Sequence, residues 1–222
     1  MDIQNSKYYG IYFLKNKKVL STKNLTPGKS FFKERLFKVN DSEFREFNPR
    51  RSKLGAAVIK KISIMPLNEG NKVLYLGASH GYTPSFVSDI VGDKGVVFCV
   101  DFAPRVVRDL IFICEERKNM SPILASANKP ETYEKRITNV DVIYQDIAQK
   151  NQVEILFKNL RFLKERGYVI LTVKSRSIDV TKQPSKIFRE VEEKLKQKLR
   201  IIDQKELDPF EKDHALFICQ KK

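Results

Sequence analysis

Short apolar runs and glycine-bounded turns alternate along residues 72–101, KVLYLGASHGYTPSFVSDIVGDKGVVFCVD. Residues 73–76 form the kind of apolar run found in a strand buried on both faces. Glycines bound the turn at residues 77–81, and residues 82–91 carry apolar side chains at helical spacing. A second apolar run, residues 96–100, ends on a carboxylate. The pattern predicts a strand, a tight turn, a helix and a second strand.

The same alternation of strands and helices continues along the rest of the chain. It predicts an α/β fold with a doubly wound parallel sheet, in which ligands bind at the carboxyl ends of strands where strand order reverses. The polar residues just past the strand ends are therefore the candidates for a site. The further predicted elements are helices at 104–117, 150–165 and 184–199, and strands at 122–125, 140–144, 168–174, 200–207 and 215–220.

Residues 1–50 have a different pattern, with strand-like runs and little helical spacing. Residues 8–21 predict two strands joined at residues 15–17, and residues 31–39 suggest another. We therefore expect a small β-rich N-terminal domain with a basic surface.

The boundary of this domain is predicted at Asn48-Pro49, because a residue before proline is pushed out of helical geometry. The larger α/β domain then covers residues 51–222. It opens with a short amphipathic helix, for which Ser52 is a suitable N-cap.

The composition fits an intracellular globular protein. The chain has 222 residues, of which 41% are hydrophobic, enough for a sizeable core. No apolar run approaches the roughly 18 residues of a membrane span, and the N-terminus lacks a signal pattern. Cys99, Cys114 and Cys219 lie in apolar runs without metal-ligand spacing, which argues against a disulfide framework or a zinc site. We expect a reducing, cytoplasmic setting.

The formal charge of +15 is unevenly distributed. Residues 1–61 carry net +10, residues 62–149 carry −2 and residues 150–222 carry +7. Basic flanks around a near-neutral centre favour a polyanionic partner such as RNA. General solubility, or adaptation to salt or heat, is the alternative explanation.

The turn at residues 77–81 also matches the G-x-S-x-G motif of α/β-hydrolases. Ser79 would be the nucleophile, with Asp146 or Asp179 and then His214 completing a triad. The segment before residue 72 is too short for the strands that normally precede this motif, and no HGGG-type stretch is present. The hydrolase is therefore a weak alternative.

The turn is a poor fit to a dinucleotide site as well. Only Gly77 and Gly81 are glycine, so the G-x-G-x-x-G pattern is absent. Asp101 follows Gly81 by 20 residues, about the spacing that places a carboxylate on ribose hydroxyls. A single ribose with an uncharged linker fits better than a pyrophosphate, which indicates S-adenosylmethionine.

Five runs of the chain together resemble the fibrillarin family, in particular its archaeal RNA 2′-O-methyltransferases. The resemblance implies a class I S-adenosylmethionine-dependent methyltransferase, with a Rossmann-like, mostly parallel seven-stranded sheet behind a small β-rich domain. The runs are NPRRSKLGAAVIKK, VLYLGASHGYTPSFVSDIVGDKGVVFCVDFAPRVVRDL, VDVIYQDIAQKNQ, VILTVKSRSID and KDHALFICQKK.

The resemblance also implies the residues that bind S-adenosylmethionine. Asp101 would accept hydrogen bonds from the ribose hydroxyls, Phe102 would lie against the adenine, and the glycine turn would admit the methionine moiety. The implied positions are Gly77, Ala78, Gly81, Tyr82, Thr83, Asp101, Phe102, Ser126, Ala127, Asp146, Ile147, Ala148 and Gln149.

This chain departs from the family pattern at several of these positions. His80 and Tyr82 replace small residues, Pro84 follows, and Asp101 stands where the family usually has Glu. Ser126 stands where the family tends to have Asp. A carboxylate there would make a charge-assisted hydrogen bond to the adenine amino group, so its loss should weaken cofactor binding.

The catalytic residues implied by the resemblance are Lys53, Asp146, Lys174 and His214. Methyl transfer to a ribose 2′-hydroxyl requires in-line orientation, stabilisation of developing alkoxide and removal of a proton. Lys174 could stabilise the oxyanion or act as the base, and Asp146 could orient it. Lys53 would partner Asp146, although a lysine in a helix's first turn has no local benefit. His214 would complete the cluster.

The function that follows is guide-RNA-directed 2′-O-methylation of rRNA or tRNA. The implied partners are a C/D-box guide RNA with its target, a Nop-family scaffold protein and a kink-turn-binding protein. A non-catalytic ribonucleoprotein subunit is the main alternative, because His80, Tyr82 and Ser126 are altered. His80 has no second ligand near it in sequence, and we expect no metal.

Overall fold

The computed structural model describes residues 2–14 and 19–222. The connection predicted at residues 15–17 lies outside these ranges. The described chain contains two sheets, one of five strands and one of seven. No helix in the described ranges is both long enough and apolar enough to cross a bilayer.

The N-terminal sheet is antiparallel, with strand order β1-β2-β3-β5-β4. The strand suggested at residues 31–39 is shorter than expected, because only its last four residues join the sheet. They pair with the following strand through a hairpin in which Asn40 has φ of +51°. The strands are β1 Ile3–Asn5, β2 Ile11–Leu14, β3 Val19–Lys23, β4 Leu36–Val39 and β5 Ser42–Glu46.

The larger sheet has strand order β11-β12-β10-β9-β6-β7-β8. All neighbouring strands are parallel except β12, which runs antiparallel to both β10 and β11. Strand order reverses between β6 and β9, as a doubly wound sheet predicts. The strands are β6 Lys72–Leu76, β7 Val96–Asp101, β8 Met120–Leu124, β9 Val140–Asp146, β10 Leu163–Lys174, β11 Leu199–Glu206 and β12 His214–Lys221.

Two predicted helices are longer than the observed ones. The helix expected at 150–165 ends at Asn159, and β10 starts at Leu163 after one 3₁₀ turn. The helix expected at 184–199 ends at Lys196. The helices are α1 Lys53–Ile59, α2 Tyr82–Val91, α3 Pro104–Glu116, α4 Gln152–Asn159, α5 Ser175–Ile178 and α6 Pro184–Lys196.

Side-chain alternation along β9, β10 and β12 determines which helix each residue meets. Ile170 belongs to the core that includes α1, and Leu171 belongs to the opposite core, under α4 and α6. By the same alternation, Asp146, Lys174 and His214 all lie on the α1 face of the sheet. These three residues are therefore brought to the carboxyl edge next to the start of α1.

A buried ion network joins the N-terminal sheet to α2 and α3. Arg117 donates to Asp89 at 2.7 Å, and Arg45 pairs with Glu34 at 3.1 Å and with Asp89 at 3.6 Å. All four side chains are at most 1% exposed. The apolar core is also continuous across this junction, since Tyr8 packs in the same cluster as α1. The division at residue 50 stays a prediction.

Candidate functional site

The turn between β6 and α2 requires glycine at its start. Gly77 has φ of +84°, and a Cβ there would lie 2.2 Å from the carbonyl oxygen of Asp146. Gly81 caps α2 with φ of +88°, where a Cβ would lie 2.8 Å from Leu110. The turn is thus pressed against the end of β9, which only glycine permits.

The carboxylate of Asp101, at the end of β7, is held by two backbone amides. The Ser79 amide donates to Oδ2 at 2.8 Å, and the Ala103 amide donates to Oδ1 at 3.1 Å. A carboxylate offers about four acceptor positions, so two remain for a ligand. Phe102 follows with 66% of its surface exposed, available to lie against a planar group.

A cavity of about 310 Å³ lies between these strand ends. Its wall combines the turn after β6, the end of β7, the segment after β8 and the segment after β9. Nine of the predicted cofactor residues line it: Gly77, Asp101, Phe102, Ser126, Ala127, Asp146, Ile147, Ala148 and Gln149.

The other four predicted cofactor residues, Ala78, Gly81, Tyr82 and Thr83, do not line this cavity. The Tyr82 ring packs edge-on against Phe32 and Phe86. Thr83 is buried, and its hydroxyl donates to the Ser52 hydroxyl at 3.1 Å. Thr83 therefore ties the N-cap of α1 to α2, and Tyr82 packs between α2 and the N-terminal domain.

Asn128 lines the cavity and was not predicted from the sequence. Lys158 donates to its Oδ1 at 2.8 Å, and the Asn128 amide donates to the Ser126 hydroxyl at 3.3 Å. Because Asn128 directly follows Ser126 and Ala127, its sequence position could have indicated that it also lines the site. The segment after β8 thus presents neutral polar groups.

Asp146 connects the cavity to the catalytic residues that were predicted. Lys53 donates from Nζ to Oδ2 at 2.9 Å, and Thr172 donates to Oδ1 at 2.7 Å. Ser52 caps α1 by accepting from the Gly55 amide at 3.3 Å, which places Lys53 over the strand ends. Thr172 was not predicted, although it lies two residues before Lys174 on the same face of β10.

Lys174 and His214 are register partners on β10 and β12. His214 donates from Nδ1 to the Lys212 carbonyl at 2.7 Å, which leaves Nε2 as an acceptor. Burial lowers the pKa of His214, and the Lys53 charge acts in the same direction against the Lys212 carbonyl, which raises it; the net shift favours the neutral ring. The exposed Lys174 ammonium has no hydrogen-bond or ion-pair partner within the described ranges, so it is free for a ligand.

The geometry does not favour a serine hydrolase. A nucleophilic serine needs a base within hydrogen-bond reach. Of the two histidines, His80 pairs with Asp109 at 3.0 Å and His214 with Lys212, and neither hydrogen-bonds Ser79. The described chain also contains no cluster of three or more His, Cys, Asp or Glu side chains that could hold a metal ion.

A seven-stranded sheet with one antiparallel strand, and a strand-end carboxylate in a cavity at its switch point, define a Rossmann-like methyltransferase of class I. The comparisons specify the family. The fibrillarin family model matches residues 3–222. The chain therefore belongs to the fibrillarin family.

Individual relatives agree over the full length. The chain is 48% identical to the fibrillarin-like rRNA/tRNA 2′-O-methyltransferase of Thermococcus onnurineus, over 100% of both chains. It is similar to Aeropyrum pernix fibrillarin with natively bound S-adenosyl-L-methionine, with TM-score 0.91, 40% identity and coverage of 99% and 98%. A fibrillarin in complex with Nop5p gives TM-score 0.89 and 36% identity, covering 98% and 100%.

Proposed function

We propose that this protein transfers a methyl group from S-adenosylmethionine to ribose 2′-hydroxyls of rRNA or tRNA. The observation that carries the proposal is the position of Asp146. It lines the nucleoside-sized cavity and also accepts from Lys53 and Thr172 in the polar cluster. Cofactor and acceptor sites would therefore meet at one carboxylate.

The residues of the cavity fit S-adenosylmethionine. Asp101 has acceptor positions for a ribose diol, and Phe102 offers an exposed aromatic face. Gly77 lets the turn approach the end of β9, so that the turn, Asp101 and Asp146 line one cavity. The bound cofactor would supply an activated sulfonium methyl group.

The polar cluster would act on the RNA ribose. Lys174, whose ammonium has no competing partner in the part of the chain that the structure describes, would donate to the 2′-oxygen and stabilise developing negative charge. Asp146, fixed by Lys53 and Thr172, would orient the hydroxyl in line with the methyl. His214, neutral with Nε2 available, would accept a proton from the cluster or keep Lys174 in place.

We propose that specificity comes from partners rather than from this chain. The basic flanks suit sequence-independent contacts to phosphates. A C/D-box guide RNA would select the target, a Nop-family scaffold would recruit the enzyme, and a kink-turn-binding protein would organise the RNA. A fibrillarin that is 36% identical to this chain forms a complex with Nop5p, which supports the proposal of a Nop-family scaffold. A cytoplasmic location stays a prediction.

Reconstitution tests this function. The chain, a scaffold protein, a kink-turn protein and a guide RNA are incubated with target RNA and methyl-labelled S-adenosylmethionine. We expect label on one ribose, opposite a fixed guide position, and none without the guide. Cofactor binding with no label transferred would instead identify a non-catalytic subunit.

Substitution of Ser126 by Asp is expected to tighten cofactor binding. The change replaces a neutral hydrogen bond to the adenine amino group by a charge-assisted one, worth roughly 1 kcal/mol or about fivefold in Kd. Isothermal titration calorimetry of Ser126→Asp measures the gain. Ser126→Ala is the matched control and should show none. Equal affinity of Ser126→Asp and the parent chain would contradict the placement of residue 126 next to the adenine amino group.

A further inference from the structure

Two tyrosines lie directly beneath the proposed catalytic cluster. Tyr75 on β6 and Tyr144 on β9 are register partners, and their rings stack with centroids 4.4 Å apart and planes at 8°. Both are at most 1% exposed and belong to the core that includes α1. Asp146 follows Tyr144 by two residues, so both side chains leave β9 on the same face.

The Tyr144 hydroxyl is fully buried, and its own proton has no acceptor at hydrogen-bond geometry within the described parts of the chain. The Tyr75 hydroxyl lies on the donor side of it, since Tyr75 lowers the pKa of Tyr144 and Tyr144 raises that of Tyr75. The buried Tyr82 hydroxyl is likewise unpaired, but it lies away from Asp146, against Phe32 and Phe86. Two other buried tyrosines are paired. Tyr8 donates to the Ile62 carbonyl, and Tyr133 donates to Asn159, each at 2.5 Å. A buried O–H whose proton has no acceptor loses up to about 1–3 kcal/mol of hydration, a cost that phenylalanine at position 144 would avoid.

The environment keeps both phenols protonated. Burial raises the pKa of Tyr75 and of Tyr144 well above the usual value, and the nearby charge of Asp146 contributes in the same direction. Each hydroxyl is therefore a neutral donor close to a carboxylate. That carboxylate has two fixed partners and further acceptor positions.

We propose that Tyr144 is a positioning residue for the methyl transfer, and that its free hydroxyl donates to Asp146, directly or through one water, in the substrate-bound enzyme. The proposal rests on the methyltransferase function proposed above. It explains why an energetically unfavourable hydroxyl is present at this point of the core. Tyr75 would act as the stacked support that fixes the ring.

The test compares Tyr144→Phe with Tyr8→Phe in the reconstituted complex. We expect Tyr144→Phe to lower kcat about tenfold, with unchanged KM for the cofactor and for RNA and an equal or higher melting temperature. Tyr8→Phe removes a hydroxyl that is paired with the Ile62 carbonyl and makes no contact with the catalytic residues, so it should lower the melting temperature and leave kcat unchanged. Because the two variants change kcat and melting temperature in different ways, the comparison distinguishes a role in catalysis from a role in stability.

A double-mutant cycle then asks whether Tyr144 acts through Asp146. Under single-turnover conditions, Tyr144→Phe should have no further effect in an Asp146→Asn background. Full kcat in Tyr144→Phe, or an equal additional loss in that background, would overturn the proposal. Absence of methylation by the parent complex would instead refute the function, which keeps the two failures distinct.

Discussion

Replacement of Lys174 by Ala is expected to lower the methyl-transfer rate by about 10²–10³-fold, the usual cost of losing one donor to a developing oxyanion. Cofactor affinity should stay within about twofold, because Lys174 does not line the cofactor cavity. The measurement is single-turnover methylation of a guide–target duplex, together with calorimetry for S-adenosylmethionine.

Lys164 provides the matched control. It lies on the same strand, β10, at the opposite edge of the sheet, and pairs with Asp141 at 2.5 Å. Lys164→Ala should methylate at the parental rate. A Lys174→Ala variant with full activity would show that another group stabilises the 2′-oxygen.

The largest stability effect is expected at Asp89. Its carboxylate accepts from Arg117, Thr22 and the Leu25 amide and lies 3.6 Å from Arg45, with no exposed surface. Among the described residues, Asp89→Ala leaves the buried guanidinium groups of Arg45 and Arg117 with Glu34 as the remaining paired carboxylate. Removal of one member of a buried ion network costs about 3–5 kcal/mol.

Thermal and urea unfolding measure this loss, which corresponds to a fall of roughly 6–20 °C in Tm for a chain of this size. Glu165→Ala is the control, because its ion pair with Lys221 leaves Glu165 78% exposed. The melting temperature of the control should hardly change. A change just as small in Asp89→Ala would mean that the N-terminal sheet is held by apolar packing alone.

The sequence predicted structure best where a requirement such as burial or a tight turn determines the type of several adjacent residues. Apolar runs predicted the strands because parallel strands are buried on both faces. Asp101 and Asp146 could be found because strand ends meet at one edge, and the two carboxylates do line one cavity. Gly77 was found because glycines bracket a tight turn, and the structure shows that this turn approaches the end of β9.

Features that depend on tertiary packing could not be predicted in this way. Residues 160–163, Leu-Arg-Phe-Leu, continue a helical apolar spacing, yet Phe162 and Leu163 are buried where the chain turns into β10. Thr83 follows the turn in sequence, but its hydroxyl faces Ser52 of another segment. The bond from Thr172 to Asp146 joins two strands, and no local pattern reports it.

The central claim is that one cleft holds an adenosyl group on Asp101 and brings its sulfur toward Lys174. The most direct measurement is a crystal structure of the protein with S-adenosylmethionine or its non-reactive analogue sinefungin. We predict ribose hydroxyls within about 2.6–3.2 Å of the Asp101 carboxylate and the transferable group facing Asp146 and Lys174. An adenosyl group bound elsewhere, or a transferable group pointing away from Lys174, would contradict the claim.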